Sequence, residues 1–187
     1  MAFKKVTFWS KFPEKVIWSD FEKLITFNCS VYVLCKKRSD YYKWKKKIKN
    51  KNIELGAWPV LTFEDGYWFS GLTSKKGIEK LKDYEGLRIK IDLEPPIRLK
   101  SYSDLAALSY GIEFFLFRGY PNNNYLKKTI YELSKNTEII ASGYPFPNWL
   151  SRRYGGNVRI DKNMSKNYFI YTSYFPEPFK SLLNLYY

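Results

Sequence analysis

The chain has 187 residues, of which 45% are hydrophobic and 20% aromatic, which is typical of a folded chain with one sizeable core and excludes a disordered one. Its 32 basic and 18 acidic residues give a formal net charge of +14, which favours acidic partners such as nucleic acid, anionic glycans or membrane head groups. The absence of histidine excludes His-based triads and removes the commonest metal ligand, so no metal site is expected.

The two cysteines and the apolar runs indicate the compartment. Cys29 and Cys35 fall on one predicted strand, where they would lie about 20 Å apart and could not form a disulfide. We interpret them as reduced thiols of a cytoplasmic protein. No run of about 18 apolar residues predicts a membrane-spanning helix, and the N-terminal MAFKKVTFWS has no apolar signal core. We therefore expect no membrane partner.

The first half of the chain predicts a regular series of strands and helices. Strands are predicted at 4–10, 30–35, 53–61 and 87–93. Helices are predicted between them at 19–28, 39–50 and 74–84. Ser19 or Asp20 is the predicted N-cap of the first helix. Because the connections are short, this βαβαβαβ series predicts a parallel sheet.

The second half of the chain is less regular. Its predicted helices lie at 102–119, 123–136, 147–156 and 176–187. Its predicted strands lie at 137–145, 158–160 and 167–175, of which the middle one is very short. The whole chain, 1–187, is predicted to form one domain with six or seven strands.

The residues that follow the strands favour a barrel over a doubly wound sheet. No glycine-rich phosphate loop follows any strand, so the nucleotide-binding open sheet lacks its usual signature and we expect no cofactor. The strand ends carry an aromatic residue, an acid or both, and then proline: FWSKFP, GAWPVL, DLEPP, SGYPFP and TSYFPEP. Functional residues at these ends are typical of a β/α barrel, although a full barrel takes about 250 residues. We therefore predict an α/β fold, barrel-like and incomplete, whose open edge is covered by segment 102–119 or by a partner chain.

The stretch LRIKIDLEPP, residues 87–96, predicts the candidate catalytic residues. In a strand, alternate residues share a face, so Arg88, Lys90, Asp92 and Glu94 would lie opposite the apolar side chains. Lys90 and Asp92 could neutralise each other, which would be a purely structural role. Glu94 lies at the rim, where desolvation would raise its pKa and suit it to general acid catalysis.

The same stretch resembles the fourth-strand signature D-x-x-D-x-D-x-E of chitinase-like family 18 glycoside hydrolases. Asp92 and Glu94 match the last two acids, whereas Leu87 and Lys90 stand in place of the first two. The resemblance implies that Glu94 protonates the glycosidic oxygen and that Asp92 orients the acetamido group of the substrate, which acts as nucleophile. The order of GAWPVL, DGYWFSGLT, KIDLEPP, SGYP and YTSYF is also similar to uncharacterised archaeal-type barrel proteins.

Aromatic residues after the strands are the candidate substrate-binding residues. Trp58, Tyr67 and Trp68 would lie at the mouth of the barrel, where aromatic planes stack on sugar rings or on bases. The alternative is that they roof the core. Tyr144 and Tyr171, near the ends of later strands, could donate hydrogen bonds at the reacting centre or pack in the core.

A second carboxylate is the feature that the sequence supplies least clearly. Ordinary glycoside hydrolysis uses two carboxyl groups, about 5 to 5.5 Å apart for retention and about 6.5 to 9.5 Å apart for inversion. The Cα atoms of Asp92 and Glu94 would lie roughly 6.6 Å apart on one strand face. Glu54 begins its strand and is expected at the wrong end, while Asp65 and Glu177 are candidates only by their positions in loops.

Three functions are compatible with these patterns. The first is a glycosidase-like barrel that acts on a carbohydrate through Glu94 and Asp92. The second is a degenerate barrel that binds a carbohydrate or another ligand without cleaving it. The third is binding of nucleic acid by a basic face, although the same lysines would also suit a solvated helix surface. This face comprises Lys43, Lys45, Lys46, Lys47, Lys49 and Lys51.

Overall fold

The structure is a computed structural model of the chain. It describes residues 6–94, 112, 119–144, 149, 151–152, 155–158 and 163–168. Tyr171, Glu177 and the predicted helix at 176–187 lie outside the described residues, as does the helix at 102–119 except for Ile112, which is helical, and Gly119.

Six parallel strands form one curled sheet, which is half of a barrel. The strands follow each other across the sheet in chain order, from β1 to β6. Their bounds are Val6–Ser10 for β1, Cys29–Cys35 for β2, Ile53–Pro59 for β3, Ile89–Asp92 for β4, Ile139–Gly143 for β5 and Met164–Tyr168 for β6. A doubly wound sheet would reverse its strand order at a switch point, and this sheet does not. The predicted α/β fold with a short, incomplete barrel is therefore confirmed.

Four α-helices and two 3-10 helices have both of their bounds within the described residues. The α-helices are α1 (Trp18–Leu24), α2 (Arg38–Lys47), α3 (Lys75–Glu79) and α4 (Asn123–Ser134). The 3-10 helices are Pro13–Lys15 and Lys80–Tyr84. The helix predicted at 74–84 is therefore α3 continued by a 3-10 turn. At the start of α2, the Asp40 carboxylate accepts hydrogen bonds from the backbone N–H groups of Lys36 and Lys37.

The predicted N-cap of the first helix is wrong. The helix begins at Trp18, and the N-cap position is Ile17 rather than Ser19 or Asp20. Tertiary burial accounts for the difference, since Trp18 is 3% exposed and its indole N–H donates a 2.8 Å hydrogen bond to the carbonyl of Pro13. Anchoring Trp18 against the preceding 3-10 turn starts the helix before the residues that local propensity favours.

The last strands also differ from the prediction. The final described strand begins at Met164, before the predicted start of 167–175, and pairs with β5 from Ile139↔Met164 onward. Pairing with a neighbouring strand selects MSKNY, a segment without the apolar pattern of a strand. Val158, in the short strand predicted at 158–160, lies outside any strand. In the helix predicted at 147–156, residues 149, 151 and 152 are helical.

The two faces of the sheet have different chemistry. The helix-covered face buries a continuous apolar core, to which the strands contribute alternate residues such as Val31, Val33, Ile89 and Ile91. The inner face carries a second, smaller cluster built from Tyr32, Trp58, Val60, Trp68 and Ile140. Buried polar residues, among them Lys90 and Asp92, share this inner face, and Lys90 lies against the ring of Trp58, so any site inside the half-barrel is built from this face.

A close approach between two strands packs the inner face. A Cβ atom at Gly56 would lie 2.3 Å from a ring carbon of Tyr32, so only glycine lets the Tyr32 ring lie across β3.

No helix within the described residues is long and apolar enough to cross a membrane.

Candidate active site

The strand β4 presents three ionisable side chains to the inside of the half-barrel. Lys90 and Asp92 are each 1% exposed, and Glu94, two residues beyond, is 6% exposed. The alternate residues Ile89 and Ile91 pack in the apolar core on the opposite face. The two-faced strand predicted from the sequence is therefore confirmed, and it brings three charges into a largely desolvated place.

Lys90 and Asp92 form a buried ion pair. The Lys90 ammonium donates a hydrogen bond to Oδ1 of Asp92. Burial raises the pKa of Asp92 although the Lys90 charge opposes this, and burial lowers the pKa of Lys90. The ammonium also lies 4.2 Å from the ring centroid of Trp58 and 5.5 Å from that of Trp9. The predicted neutralisation of these two charges by each other is confirmed.

Glu94 accepts its hydrogen bond from a hydroxyl group, and none of the described cations donates one to it. Its Oε2 accepts a 2.8 Å hydrogen bond from the Tyr144 hydroxyl. Its Oε1 is buried and has no hydrogen-bond partner in the part of the chain that the structure describes. Burial, with a further contribution from the Asp92 charge, raises the pKa of Glu94 to about 7. The hydrogen bond from Tyr144 opposes this shift and does not cancel it.

A neutral-pH proton donor and acceptor is therefore present at the carboxyl end of β4. A carboxyl group with a pKa near 7 exchanges its proton readily at that pH, which is the property of a general acid or base. The backbone holds Glu94 in place, since its N–H donates to the carbonyl of Phe69 at 3.1 Å and the N–H of Leu93 donates to Ser142 at 2.8 Å. These bonds tie the end of β4 to the loop after β3 and to β5.

The two predicted tryptophans lie together above the ion pair. Trp58 and Trp68 stack with ring centroids 5.8 Å apart and planes 12° apart, and they are 5% and 6% exposed. Lys90 lies against Trp58, and the edge of Tyr67 contacts Trp68 at 4.5 Å between centroids. Trp58 thus lies against the ammonium of the Lys90–Asp92 ion pair and Trp68 stacks on Trp58, while Tyr67 keeps part of its surface in solvent.

The loop after β3 holds its aromatic residues in a defined arrangement. The Leu61 N–H donates to the Tyr67 carbonyl, and the Tyr67 N–H donates back to Thr62, each at 2.9 Å. Tyr67 has φ of 63°, in the left-handed region that a bulky residue rarely adopts. Such a conformation is unfavourable by about 1–3 kcal/mol and is retained because the surrounding loop fixes it.

Two residues of this rim were not among the predicted site residues. Trp9 on β1 is 52% exposed and lies beside Lys90. Lys11 follows β1, and its ammonium lies 5.2 Å from the Tyr67 ring centroid and 5.6 Å from that of Trp68. Lys11 also lowers the pKa of Glu94, against the dominant effect of burial. FWSKFP, the first aromatic strand end, contains both residues and predicts an aromatic rim without distinguishing Trp9 or Lys11 within it.

The structure brings most of the predicted site residues to one end of the sheet. Around the end of β4 lie Trp58, Tyr67, Trp68, Asp92, Glu94 and Tyr144. The other acids considered as second carboxylates lie elsewhere or outside the described residues. Asp65 forms a half-exposed ion pair with Lys80 at 3.0 Å, and Glu54 lies at the opposite end of the sheet.

The opposite end of the half-barrel carries a separate charged cluster. Arg88 forms ion pairs with both Glu54 and Glu138. The three side chains line a wide cleft of about 620 Å³ together with Tyr41 and Lys45. Glu54 is the second residue of β3, which confirms its predicted position at the start of the strand.

The lysine-rich segment forms a solvent-exposed surface. Tyr41 and Trp44 bury the inner side of α2. All six predicted lysines are exposed: Lys43, Lys45, Lys46, Lys47, Lys49 and Lys51. The ammonium groups of Lys43 and Lys47 lie 5.1 and 5.3 Å from the Trp44 ring centroid, so part of this charge is held against the helix itself.

Comparisons with known proteins identify no relative of this chain. No protein-family model matches the chain, and no curated protein or solved structure matches it at a significant level. Within the described ranges, no group of three or more Cys, Asp or Glu side chains is placed to hold a metal ion. The chemistry that the described side chains offer is proton transfer by Glu94, next to a buried ion pair and aromatic rings.

Proposed function

We propose that the protein is a glycoside-hydrolase-like half-barrel in which Glu94 is the general acid. The observation that carries this proposal is the environment of Glu94. The carboxyl group is buried at the carboxyl end of a barrel strand, accepts a hydrogen bond from the Tyr144 hydroxyl, and has a pKa raised to about 7. A protonated carboxyl at neutral pH is what departure of a glycosidic oxygen requires.

Asp92 has a supporting role in this proposal. Because Asp92 is bonded to Lys90, it is poorly suited to attack the sugar as a free nucleophile. Its charge raises the pKa of Glu94, which keeps the acid protonated. A substrate that supplies its own nucleophile, such as a 2-acetamido sugar, would need one acid rather than two independent carboxylates. The proposed reaction is therefore hydrolysis assisted by the substrate.

A second candidate function, binding without cleavage, is favoured by the packing around the site. Trp58 and Trp68 stack on each other and are nearly buried, and the Asp92 carboxylate is already hydrogen-bonded to the Lys90 ammonium. A barrel that has kept its aromatic rim and lost its turnover would show this arrangement. Glu94 and Tyr144 would then contribute hydrogen bonds to a bound carbohydrate.

Nucleic-acid binding would use another surface. The exposed lysines of α2 and the segment that follows it form the candidate interface. Affinity for a DNA oligomer that falls steeply between low and physiological salt, and that falls further when Lys46 and Lys49 are replaced by Gln, would support that function.

Turnover of a panel of aryl glycosides, including a 2-acetamido disaccharide, distinguishes the first two functions. We expect Glu94→Gln to lower kcat/KM by at least about 100-fold without loss of the folded state measured by circular dichroism. The matched control, Glu54→Gln, makes the same change at the opposite end of the sheet and should keep the activity. The wild-type rate should fall as pH rises through about 7, because the acid loses its proton there. Full activity in Glu94→Gln contradicts the proposed acid, and binding of the panel without turnover supports the second function.

A further inference from the structure

The cationic residue Lys11 stands at the mouth of the proposed site. It follows directly after β1 and is exposed to solvent. Its ammonium lies 5.2, 5.6 and 6.0 Å from the ring centroids of Tyr67, Trp68 and Phe12. Among the residues that the structure describes, no carboxylate forms an ion pair with it.

The charge of Lys11 is not balanced by the acids near it. The Lys11 charge favours the ionised forms of Asp92 and Glu94, which lowers the pKa of each against the larger opposite effect of burial. Asp92 is already bonded to Lys90, however, so its charge is largely taken up. Glu94 has a pKa of about 7 and is substantially protonated at neutral pH. The rim therefore presents a positive charge that an incoming group is free to neutralise.

The rings around Lys11 form an accessible apolar surface. Phe12 and Phe63 are 51% and 66% exposed, and Phe63 lies 5.3 Å from Tyr67 between ring centroids. The loop holds Tyr67 in place with its left-handed backbone. Apolar planes beside an unpaired ammonium suit a ligand that has both a ring face to stack and an anionic group.

We propose that Lys11 is the anion-binding residue of this site and that the ligand is an anionic saccharide. The carboxylate or sulfate group of the sugar binds the Lys11 ammonium while the sugar ring stacks on Tyr67 and Phe12. This inference rests on the proposed carbohydrate function and adds the charge of the substrate. It is distinct from a purely structural role, in which Lys11 would only tie β1 to the loop after β3 through its contacts with the rings.

Calorimetric binding at about 0.15 M salt tests the inference, since exposed charges without a specific site are largely screened there. The probes are a galacturonate tetramer, a sulfated dextran oligosaccharide and the neutral tetramer of N-acetylglucosamine. We expect the wild type to bind at least one anionic probe 10-fold or more tighter than the neutral one. Lys11→Gln should abolish that preference and leave affinity for the neutral tetramer within 3-fold. The two anionic probes distinguish a carboxylate from a sulfate.

The control is Lys76→Gln, which makes the same charge change at an exposed lysine of α3. It should keep the anionic preference, and equal losses in both variants would show a general effect of net charge and overturn the inference. Equal affinity of the wild type for all probes, or binding of none, would also overturn it. Turnover is measured separately. The readout for Glu94 is turnover of the 2-acetamido substrates, because neither anionic probe carries the acetamido group that the proposed reaction needs. An anionic preference that depends on Lys11, with no 2-acetamido substrate cleaved, supports this inference and contradicts the acid role of Glu94. Cleavage that depends on Glu94, without an anionic preference, supports the acid role and overturns this inference.

Discussion

The two ends of β4 carry charged side chains on the same inner face, but these side chains differ in their exposure to solvent and in their partners. At the amino end, Arg88 is 26% exposed and lies between Glu54 and Glu138, which are about half exposed. At the carboxyl end, Glu94 is 6% exposed and accepts a hydrogen bond from the Tyr144 hydroxyl. Lys90 and Asp92 lie between these ends and are paired with each other in the interior.

The difference shows what burial does to a charge on one strand. Where water reaches the cluster, opposite charges meet in ion pairs that water would also solvate, and each contributes little. Where water is excluded, a carboxyl group without a cation keeps its proton, and its pKa moves to about 7. The strand thus has an ion-paired residue, Arg88, at its amino end and a titrating carboxyl group, Glu94, three alternate positions further on. We call these the structural end and the titrating end.

Breaking the buried pair should have the largest effect on stability. Lys90→Met leaves Asp92 buried without its cation, and we expect the free energy of unfolding to fall by about 3–5 kcal/mol. Denaturant unfolding followed by fluorescence measures the loss. The double variant Lys90→Met/Asp92→Leu removes both charges and should recover much of it. A single variant as stable as the wild type would contradict the prediction that this interior pair matters more to stability than the charges at the two ends of β4.

The titrating end should make stability depend on pH. The pKa of Glu94 is raised from 4.5 to about 7, so the folded protein holds a proton that the unfolded chain releases. This stabilisation is complete below about pH 4.5 and is lost as pH rises to about 7, a change of about 3 kcal/mol. We expect the difference in unfolding free energy between the wild type and Glu94→Gln to follow this trend. The difference cancels the titration of distant groups and reports Glu94 together with its coupling to Lys90 and Asp92. A constant difference from pH 4 to 8 would contradict the raised pKa.

The structural end should give the smallest effect. Arg88→Gln removes two ion pairs with half-exposed partners, and we expect a loss of about 0.2–1 kcal/mol for each pair. The loss should shrink as salt is added, because water and salt reach the cluster. Thermal unfolding at low and high salt measures it. A loss as large as that of Lys90→Met would mean that the Arg88 cluster is as inaccessible to water as the Lys90–Asp92 pair.

Much of the frame was predictable from the sequence because it depends on local patterns. Alternation in LRIKIDLE, residues 87–94, placed Lys90, Asp92 and Glu94 on one face, and the short βα repeats predicted a parallel sheet. The sequence also predicted that desolvation would raise the pKa of Glu94, since two prolines end the strand at a rim. These features depend on period and position, which one sequence contains.

The remaining features depend on contacts between distant segments. Trp18 starts α1 early through its bond to Pro13, and β6 begins at Met164 because β5 offers a partner. The approach of Lys11 to Tyr67 joins residues 56 positions apart, and no local pattern indicates it. Stacking of Trp58 on Trp68 also follows from how the loop after β3 closes on itself. Such contacts are set by packing, which propensity does not describe.

The two buried cysteines can report how often each end of the sheet opens. Cys29 and Cys35 begin and end β2, each is 0% exposed, and burial raises the pKa of Cys35 to about 12. A thiol in this state reacts with an alkylating reagent only when the surrounding structure opens. Mass spectrometry of the two labelled peptides would therefore time the opening of each end of the half-barrel separately, with no substitution in the chain.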